Sequence, residues 1–390
     1  MRVLLASSSS GSQGGGELFL LSLGRSLAES GHHPILWASD HPRMQMLCEQ
    51  FQRFGKIHRS SYVNTYDRRL RNFGAALDFG TAKNVAREWV SIRPDVVHVN
   101  KQNLEDAPDL LRAADQSGLP AICTIHVTQS AAFLHARQAR LRDLVARQFL
   151  RGFTGPLVAI GKSRQSDLQK FLGADKPVFL VSNGVPIPQA SDLEMERACT
   201  RSALPFDAGQ ILILGVGRMV QQKRPLLFLE IARKVADKIP NSSFIWVGDG
   251  PLRSDFEKLA AAVGLSDRIL VTGWISEAAK YYAAADFFLH TAEFEGLPLA
   301  LLEAMAAGLP IAVTENLAAD FSFLDQAKAI IARSDSSDWA QPIADYRDRK
   351  FRGSSAHNVA LEQYSLERMT GEYLNLYQSI LHADPVLHSS

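Results

Sequence analysis

Short apolar runs and amphipathic stretches take turns along this chain. Residues 3–6 form a continuous apolar run of strand length. Residues 17–30 follow with apolar side chains at 18, 19, 20, 21, 23 and 27, the period of a helix with one buried face. Runs at 35–38, 95–99, 121–125, 157–160 and 178–181 repeat the strand pattern, with helix-like segments between them. Runs that do not alternate with polar residues suit strands covered on both faces, so a parallel sheet between helix layers is expected. Residues 183–188 gather turn formers and read as a linker. The pattern then restarts, with strands expected at 211–216, 243–247, 268–271, 287–289 and 310–313 and a helix over 226–236. Residues 365–381 place apolar side chains at 366, 369, 373, 374, 376, 377, 380 and 381, a final amphipathic helix. The expected class is α/β: two Rossmann-like, doubly wound domains over 1–185 and 195–364, facing each other across a cleft. The terminal helix over 365–382 is expected to pack back on the first domain. In such sheets ligands bind beyond the carboxyl ends of the strands.

Composition sharpens this only in places. A chain of 390 residues exceeds one ordinary core. The net charge of +1 argues against a general nucleic-acid binder. The charge is uneven, however. Residues 1–190 hold 23 Lys+Arg and 15 Asp+Glu, net +8, while 191–390 hold 19 and 26, net −7. The basic half is the one expected to meet an anionic partner. Cys48, Cys123 and Cys199 are odd in number and scattered, which suggests a reducing compartment and neither a disulfide framework nor a zinc site. No run of 18 apolar residues spans a membrane, and the first apolar run is too short for a leader. A cytoplasmic protein is expected.

The polar signals fall just after expected strands. Glu295 and Glu303 are eight positions apart, with Gly296, Leu297, Pro298 and Leu299 following the first. Pro298 suits the first turn of a helix, which puts Glu295 on a loop and Glu303 just over one turn inside the helix. The start of that helix is an anion site. Two carboxylates beside it suit a ligand with both phosphates and hydroxyls; two solvated surface glutamates are the plain alternative. Arg218 and Lys223 share the loop after the strand at 211–216 and can flank a diphosphate, or form an ordinary solvated basic loop. Gly14, Gly15 and Gly16 open the first helix, where glycines let a ligand approach the backbone. The dinucleotide spacing is absent there. His126 ends a buried strand, and Gly273, Trp274 and Ile275 follow another. Residues 247–252 read as a structural turn.

Taken together, these motifs resemble the family 4 retaining glycosyltransferases of the GT-B fold, over about residues 1–382 and most densely over 211–314. The resemblance rests on the paired glutamates, the G-R-x-x-x-x-K loop at 217–223 and the Gly-Gly-x-Glu at 14–17. It implies a nucleotide-sugar donor and no cofactor or metal; no D-x-D occurs in the chain. It further implies that Arg218, Lys223 and the helix start neutralise the leaving diphosphate. Glu295 and His126 would hold the donor sugar, and Glu303 the ribose hydroxyls. Gly15 and Gly16 would lie beside the phosphate, and Gly273, Trp274 and Ile275 beside the base. The implied chemistry is a front-face attack with retention. Two departures stand out. The family often places Gly after the Lys, where this chain has Arg224, and its Gly-Gly-Glu beyond the last strand is absent at 314–320.

The acceptor is less marked. It is expected to be a hydroxyl on a glycan, a lipid-linked saccharide or a small anionic metabolite. Lys101, Arg59, Tyr62 and Arg68 are the candidate acceptor-side residues. The segments at 58–71 and 132–151 mix arginines with apolar side chains, as in segments that lie on anionic membranes, or in ordinary helices with a basic face. Peripheral contact with the inner face of a membrane is therefore an expectation. The alternative function is a catalytically weak binding or scaffold subunit of a glycan-synthesis complex.

Overall fold

The computed structural model describes residues 1–11, 14–207, 209–275, 278–333, 339–346 and 355–382. The chain divides into two compact units, one of residues 1–184 and 366–390, the other of 185–365. The first holds a seven-stranded sheet. Its strands are β1 (Arg2–Ser7), β2 (His33–Ser39), β3 (Lys56–Ser60), β4 (Val96–Asn103), β5 (Ala121–Val127), β6 (Leu157–Ala159) and β7 (Val178–Leu180). Their order is β3-β2-β1-β4-β5-β6-β7, and every pairing is parallel. The second holds a six-stranded sheet of β8 (Ile211–Val216), β9 (Ser242–Val247), β10 (Ile269–Val271), β11 (Phe287–His290), β12 (Ile311–Thr314) and β13 (Ile330–Ala332). Its order is β10-β9-β8-β11-β12-β13, again all parallel.

Both sheets are therefore doubly wound, as the hydrophobic pattern predicts. Each winds outward from its first strand and returns to that strand's other side. The reversal lies between β1 and β4 in the first unit and between β8 and β11 in the second. In doubly wound sheets the loops beyond such neighbouring strands are where ligands bind. Two strands, β3 and β13, have no counterpart in the expected set. In β3, Lys56, His58 and Arg59 break the apolar run, whereas β13 lies in a four-residue apolar run, 329–332, that the expected set leaves out.

The first unit buries both faces of its sheet. One face packs Trp37, Trp89 and Tyr62 with Val97, Val99 and Ile125. The other packs Val3, Leu5, Phe19 and Leu23 against Leu366, Met369, Tyr373, Leu376 and Tyr377 of the Leu366–His382 helix. A polar chain fastens that helix as well. His98 binds the Tyr377 hydroxyl at 2.7 Å and Thr124 Oγ1 at 2.8 Å, and Thr124 meets the Tyr373 hydroxyl at 2.9 Å. All of these groups are buried, so the bonds offset the cost of taking them out of water. The second unit closes around Phe228, Phe244, Trp246 and Phe256. Among the described residues, no helix is long and apolar enough to cross a membrane.

Candidate active site

In the second unit the candidate residues gather over the β8/β11 reversal. The loop after β8 is held by its neighbours. Gly217 N–H donates to Val247 O at 3.0 Å, Met219 N–H to Asp249 O at 2.8 Å and Leu252 N–H to Met219 O at 3.0 Å. Trp246 Nε1 donates to Gly217 O at 3.0 Å. A Cβ on Gly248, whose φ is +141°, would lie 2.1 Å from Gly217 O, so two backbones touch where only glycine fits. Gly248 N–H also donates to Gly273 O at 3.0 Å, joining the loop after β10 to this set. There Gly273 is buried and Trp274 is exposed.

Lys223 ends a short 3-10 turn, Gln221–Lys223, that is clamped to the loop after β11. Glu293 N–H donates to Gln222 O at 2.9 Å, Gln222 Nε2 to Phe294 O at 2.9 Å, and Thr291 Oγ1 to Lys223 O at 2.9 Å. Arg224 follows in the left-handed region, at φ 48° and ψ 54°, and caps the Pro225–Lys238 helix. A glycine would adopt that conformation freely, which accounts physically for the family's preference at this position, whereas Arg224 holds it at a cost.

The clamp brings Lys223 and Glu295 together. Lys223 Nζ bonds Glu295 Oε1, and His290 Nε2 lies 3.4 Å from the same oxygen. Burial alone would raise the Glu295 acid, but the Lys223 charge and His290 outweigh it and hold the pKa at about 2. Glu295 is therefore ionised at neutral pH. Arg218 stands apart, exposed on its loop. Leu297 and Pro298 are buried, Gly296 and Leu299 half-buried. The helix runs Leu299–Ala306, with Pro298 as its N-cap residue, one position ahead of the first turn expected for it. Leu301 and Leu302 N–H donate to Pro298 O, so the amides before them lie at the helix's positive end.

Glu303 projects from the second turn and differs from Glu295. Burial pushes its acid up to about 7, against a lowering contribution from the Tyr282 hydroxyl. Near neutrality it is thus poised between its two forms, whereas the expectation had it simply ionised. The sequence alone does not show this, because the burial that raises the acid is a product of tertiary packing.

In the first unit the Gly15–Glu29 helix begins just beyond β1. Gly15 is exposed, and Gly16 is buried with its carbonyl accepting from Asn100 Nδ2 at 3.1 Å. Asn100 Oδ1 meets His126 Nε2 at 2.7 Å. Because the Asn100 amide nitrogen serves Gly16, its oxygen faces His126, and Nε2 must carry the proton. Burial lowers the His126 pKa to about 4, so the ring is neutral and Nδ1 is an acceptor. Phe19 supports the ring edge-on at 5.0 Å.

The four acceptor-side candidates are engaged elsewhere. Lys101 is only 1% exposed; its ammonium bonds the Asp106 carbonyl and lies 3.6 Å from the Asp106 carboxylate. Asp106 also accepts from Ser8, so the pair props the loop after β4 rather than awaiting an acceptor. The Tyr62 hydroxyl donates to Asp109 at 3.0 Å. Arg68 bridges Asp109 at 2.6 Å and Asp78 at 2.9 Å. Arg59 belongs to β3 and donates to His41 O at 3.2 Å. The stretch 58–71 is thus an edge strand and its loop, not a basic helix. Within 132–151 only Ala139–Gly152 is helical, and it leaves Leu141 and Leu144 exposed beside Arg140. Among the described residues, no group of three His, Cys, Asp or Glu side chains is placed to hold a metal.

Comparison with known proteins gives two family matches. Residues 13–188 match the model for Glycosyltransferase Family 4, and 210–348 match that for Glycosyl transferases group 1. An Escherichia coli UDP-Gal:alpha-D-GlcNAc-diphosphoundecaprenol alpha-1,3-galactosyltransferase is 29% identical over 203 residues, covering 50% of this chain and 52% of that protein. A 2-deoxystreptamine glucosyltransferase from Streptomyces kanamyceticus is 30% identical over 206 residues, covering 50% and 53%. The chain therefore spans about half the length of the curated relatives it matches. Anabaena HepE, solved in complex with UDP, superposes with a TM-score of 0.73 at 17% identity, covering 97% of this chain and 100% of that one. At that identity the likeness speaks for the fold.

Proposed function

The chain belongs to the family 4, group 1 glycosyltransferases, and from that premise we propose that it moves a sugar, with retention, from a nucleotide-diphosphate sugar to a hydroxyl acceptor. The observation that carries the reading is the meeting of Lys223 with Glu295 over the β8/β11 reversal. A cation suited to a departing diphosphate stands beside a carboxylate suited to sugar hydroxyls. In this reading Arg218, Lys223 and the amides at the start of the Leu299–Ala306 helix stabilise the charge that develops on the leaving group. No metal is then needed for that charge. Glu295 orients the sugar, and the acceptor proton passes to the leaving phosphate as the new bond forms on the same face. Glu303 takes the ribose hydroxyls, Gly273–Ile275 the base, and Gly15 and Gly16 the phosphate. His126 offers Nδ1 to a sugar hydroxyl.

For the acceptor we favour a lipid-linked saccharide. The E. coli relative is named for a diphosphoundecaprenol-linked one. In the first unit, exposed Leu70, Leu77, Leu141 and Leu144 accompany exposed Arg69, Arg71 and Arg140, a combination suited to an anionic lipid surface.

The test is a thermal-shift screen against UDP, GDP, ADP and their sugar conjugates, with and without EDTA, joined to sedimentation with phosphatidylglycerol and phosphatidylcholine vesicles. One nucleotide should stabilise the protein regardless of EDTA and fail to do so in Arg218→Ala. Selective sedimentation with the anionic vesicles is expected. No shift with any nucleotide would sink the donor site. Binding without slow donor hydrolysis would return the scaffold alternative.

A further inference from the structure

His290 is the last residue of β11 and only 2% exposed, with its ring stacked on Phe288 at 5.7 Å. Its Nε2 is buried and has no hydrogen bond of good geometry, although it lies close enough to Glu295 to help hold that acid down. Such an atom calls for an explanation, because an unmet ring nitrogen in the interior is costly. Nε2 lies 3.4 Å from Glu295 Oε1, the oxygen that Lys223 already occupies. The titratable groups facing His290 are Glu295 and Lys223. The adjacent residue, Thr291, bonds the Lys223 carbonyl at 2.9 Å, so one strand end holds both partners of the carboxylate.

Lys223 cannot give its full charge to Glu295 and to a diphosphate at once. As a donor's diphosphate draws it away, Glu295, 8% exposed, is left as a buried carboxylate short of a partner. A closure of about half an ångström would bring His290 Nε2 into hydrogen-bond range. We propose that His290 is a positioning residue that takes over Glu295 when Lys223 turns to the diphosphate, keeping the carboxylate aimed at the donor sugar. The inference rests on the donor-site reading above.

Two variants separate the ring from its donor. His290→Phe keeps the stack on Phe288 and removes the N–H. His290→Gln restores an N–H near the position of Nε2. Affinities for the free nucleotide diphosphate and for its sugar conjugate are measured alongside turnover. The diphosphate alone also draws Lys223 from Glu295, so it too should bind His290→Phe about tenfold more weakly, with most of the loss recovered in His290→Gln. The sugar conjugate should lose about tenfold in kcat/KM in His290→Phe, and His290→Gln should recover most of it. Wild-type behaviour of His290→Phe overturns the proposal, as does a loss in His290→Phe that His290→Gln does not recover. If His290→Phe does not fold, His290→Asn, whose amide is too short to reach, is expected to show the same loss for both ligands. Undiminished turnover in Glu295→Ala would instead strike the donor-site reading itself.

Discussion

Beyond β1 and β4 the first unit carries a chain of neutral groups from Gly16 through Asn100 to His126, with the buried ion pair there, Lys101 and Asp106, spent on propping a loop. Beyond β8 and β11 the second unit sets full charges against each other, Lys223 on Glu295 with His290 beside them. The winding of the two sheets is the same, so the contrast comes from the loops. The neutral side is built from hydrogen bonds that fix a tautomer, and the charged side from an ion pair that a ligand can reopen.

The contrast breaks most visibly at Lys223. Lys223→Ala should lower kcat/KM by about 10²- to 10³-fold, or about 3–4 kcal/mol of transition-state stabilisation, in donor-hydrolysis assays. It should also remove an acid-labile part of the stability. The Glu295 acid is held at about 2, below its ordinary value of 4.5, so the pair's contribution is complete above pH 4.5 and lost as pH falls towards 2. Melting curves across that range should be flatter in the variant; an unchanged slope would show that the pair is idle.

Asn100→Ala probes the neutral side. Without its acceptor the His126 ring loses its fixed tautomer. Turnover should fall about tenfold while the nucleotide alone binds as before. Equal loss in both measurements would place His126 outside the sugar's reach.

The smallest effect is a pH dependence at Glu303. Ribose hydroxyls donate to the ionised form, so binding favours proton loss. With the free acid at about 7, affinity for a sugar nucleotide measured by calorimetry should weaken about tenfold between about pH 8 and about pH 6. Glu303→Gln should bind more weakly and without that slope. A slope that survives the substitution belongs to another group.

How much of this was legible in the sequence follows from where each partner lies. Buried strands announce themselves by unbroken apolar runs, and the polar residues at their ends mark the loops around both reversals. The edge strand β3 does not, because Lys56, His58 and Arg59 interrupt it, and the run at 329–332 that becomes β13 is only four residues long. Lys101 looked available because a lysine after a strand usually is; the turn at 102–106 folds Asp106 back onto it. Arg224 in the left-handed region is a tertiary outcome, enforced by the Thr291 clamp on its carbonyl at 3.2 Å. His290 was overlooked although the rule that singled out His126, a histidine at a strand's carboxyl end, applies equally to it. Asn100 gave no signal, since its role exists only once β4 and β5 are side by side.

The Leu366–His382 helix has a bearing on biosynthesis. A ribosome that has reached Gly184 has delivered all seven strands of the first unit, yet not the segment that covers Val3, Leu5 and Phe19 or meets the His98 imidazole. That face must wait, wet or chaperoned, while the whole of the second unit is synthesised. The second unit, by contrast, is contiguous and can fold as it emerges. A transcript cut short before Leu366 would therefore yield one finished half and one with its hydrophobic flank open, a candidate for proteolysis rather than a smaller working enzyme.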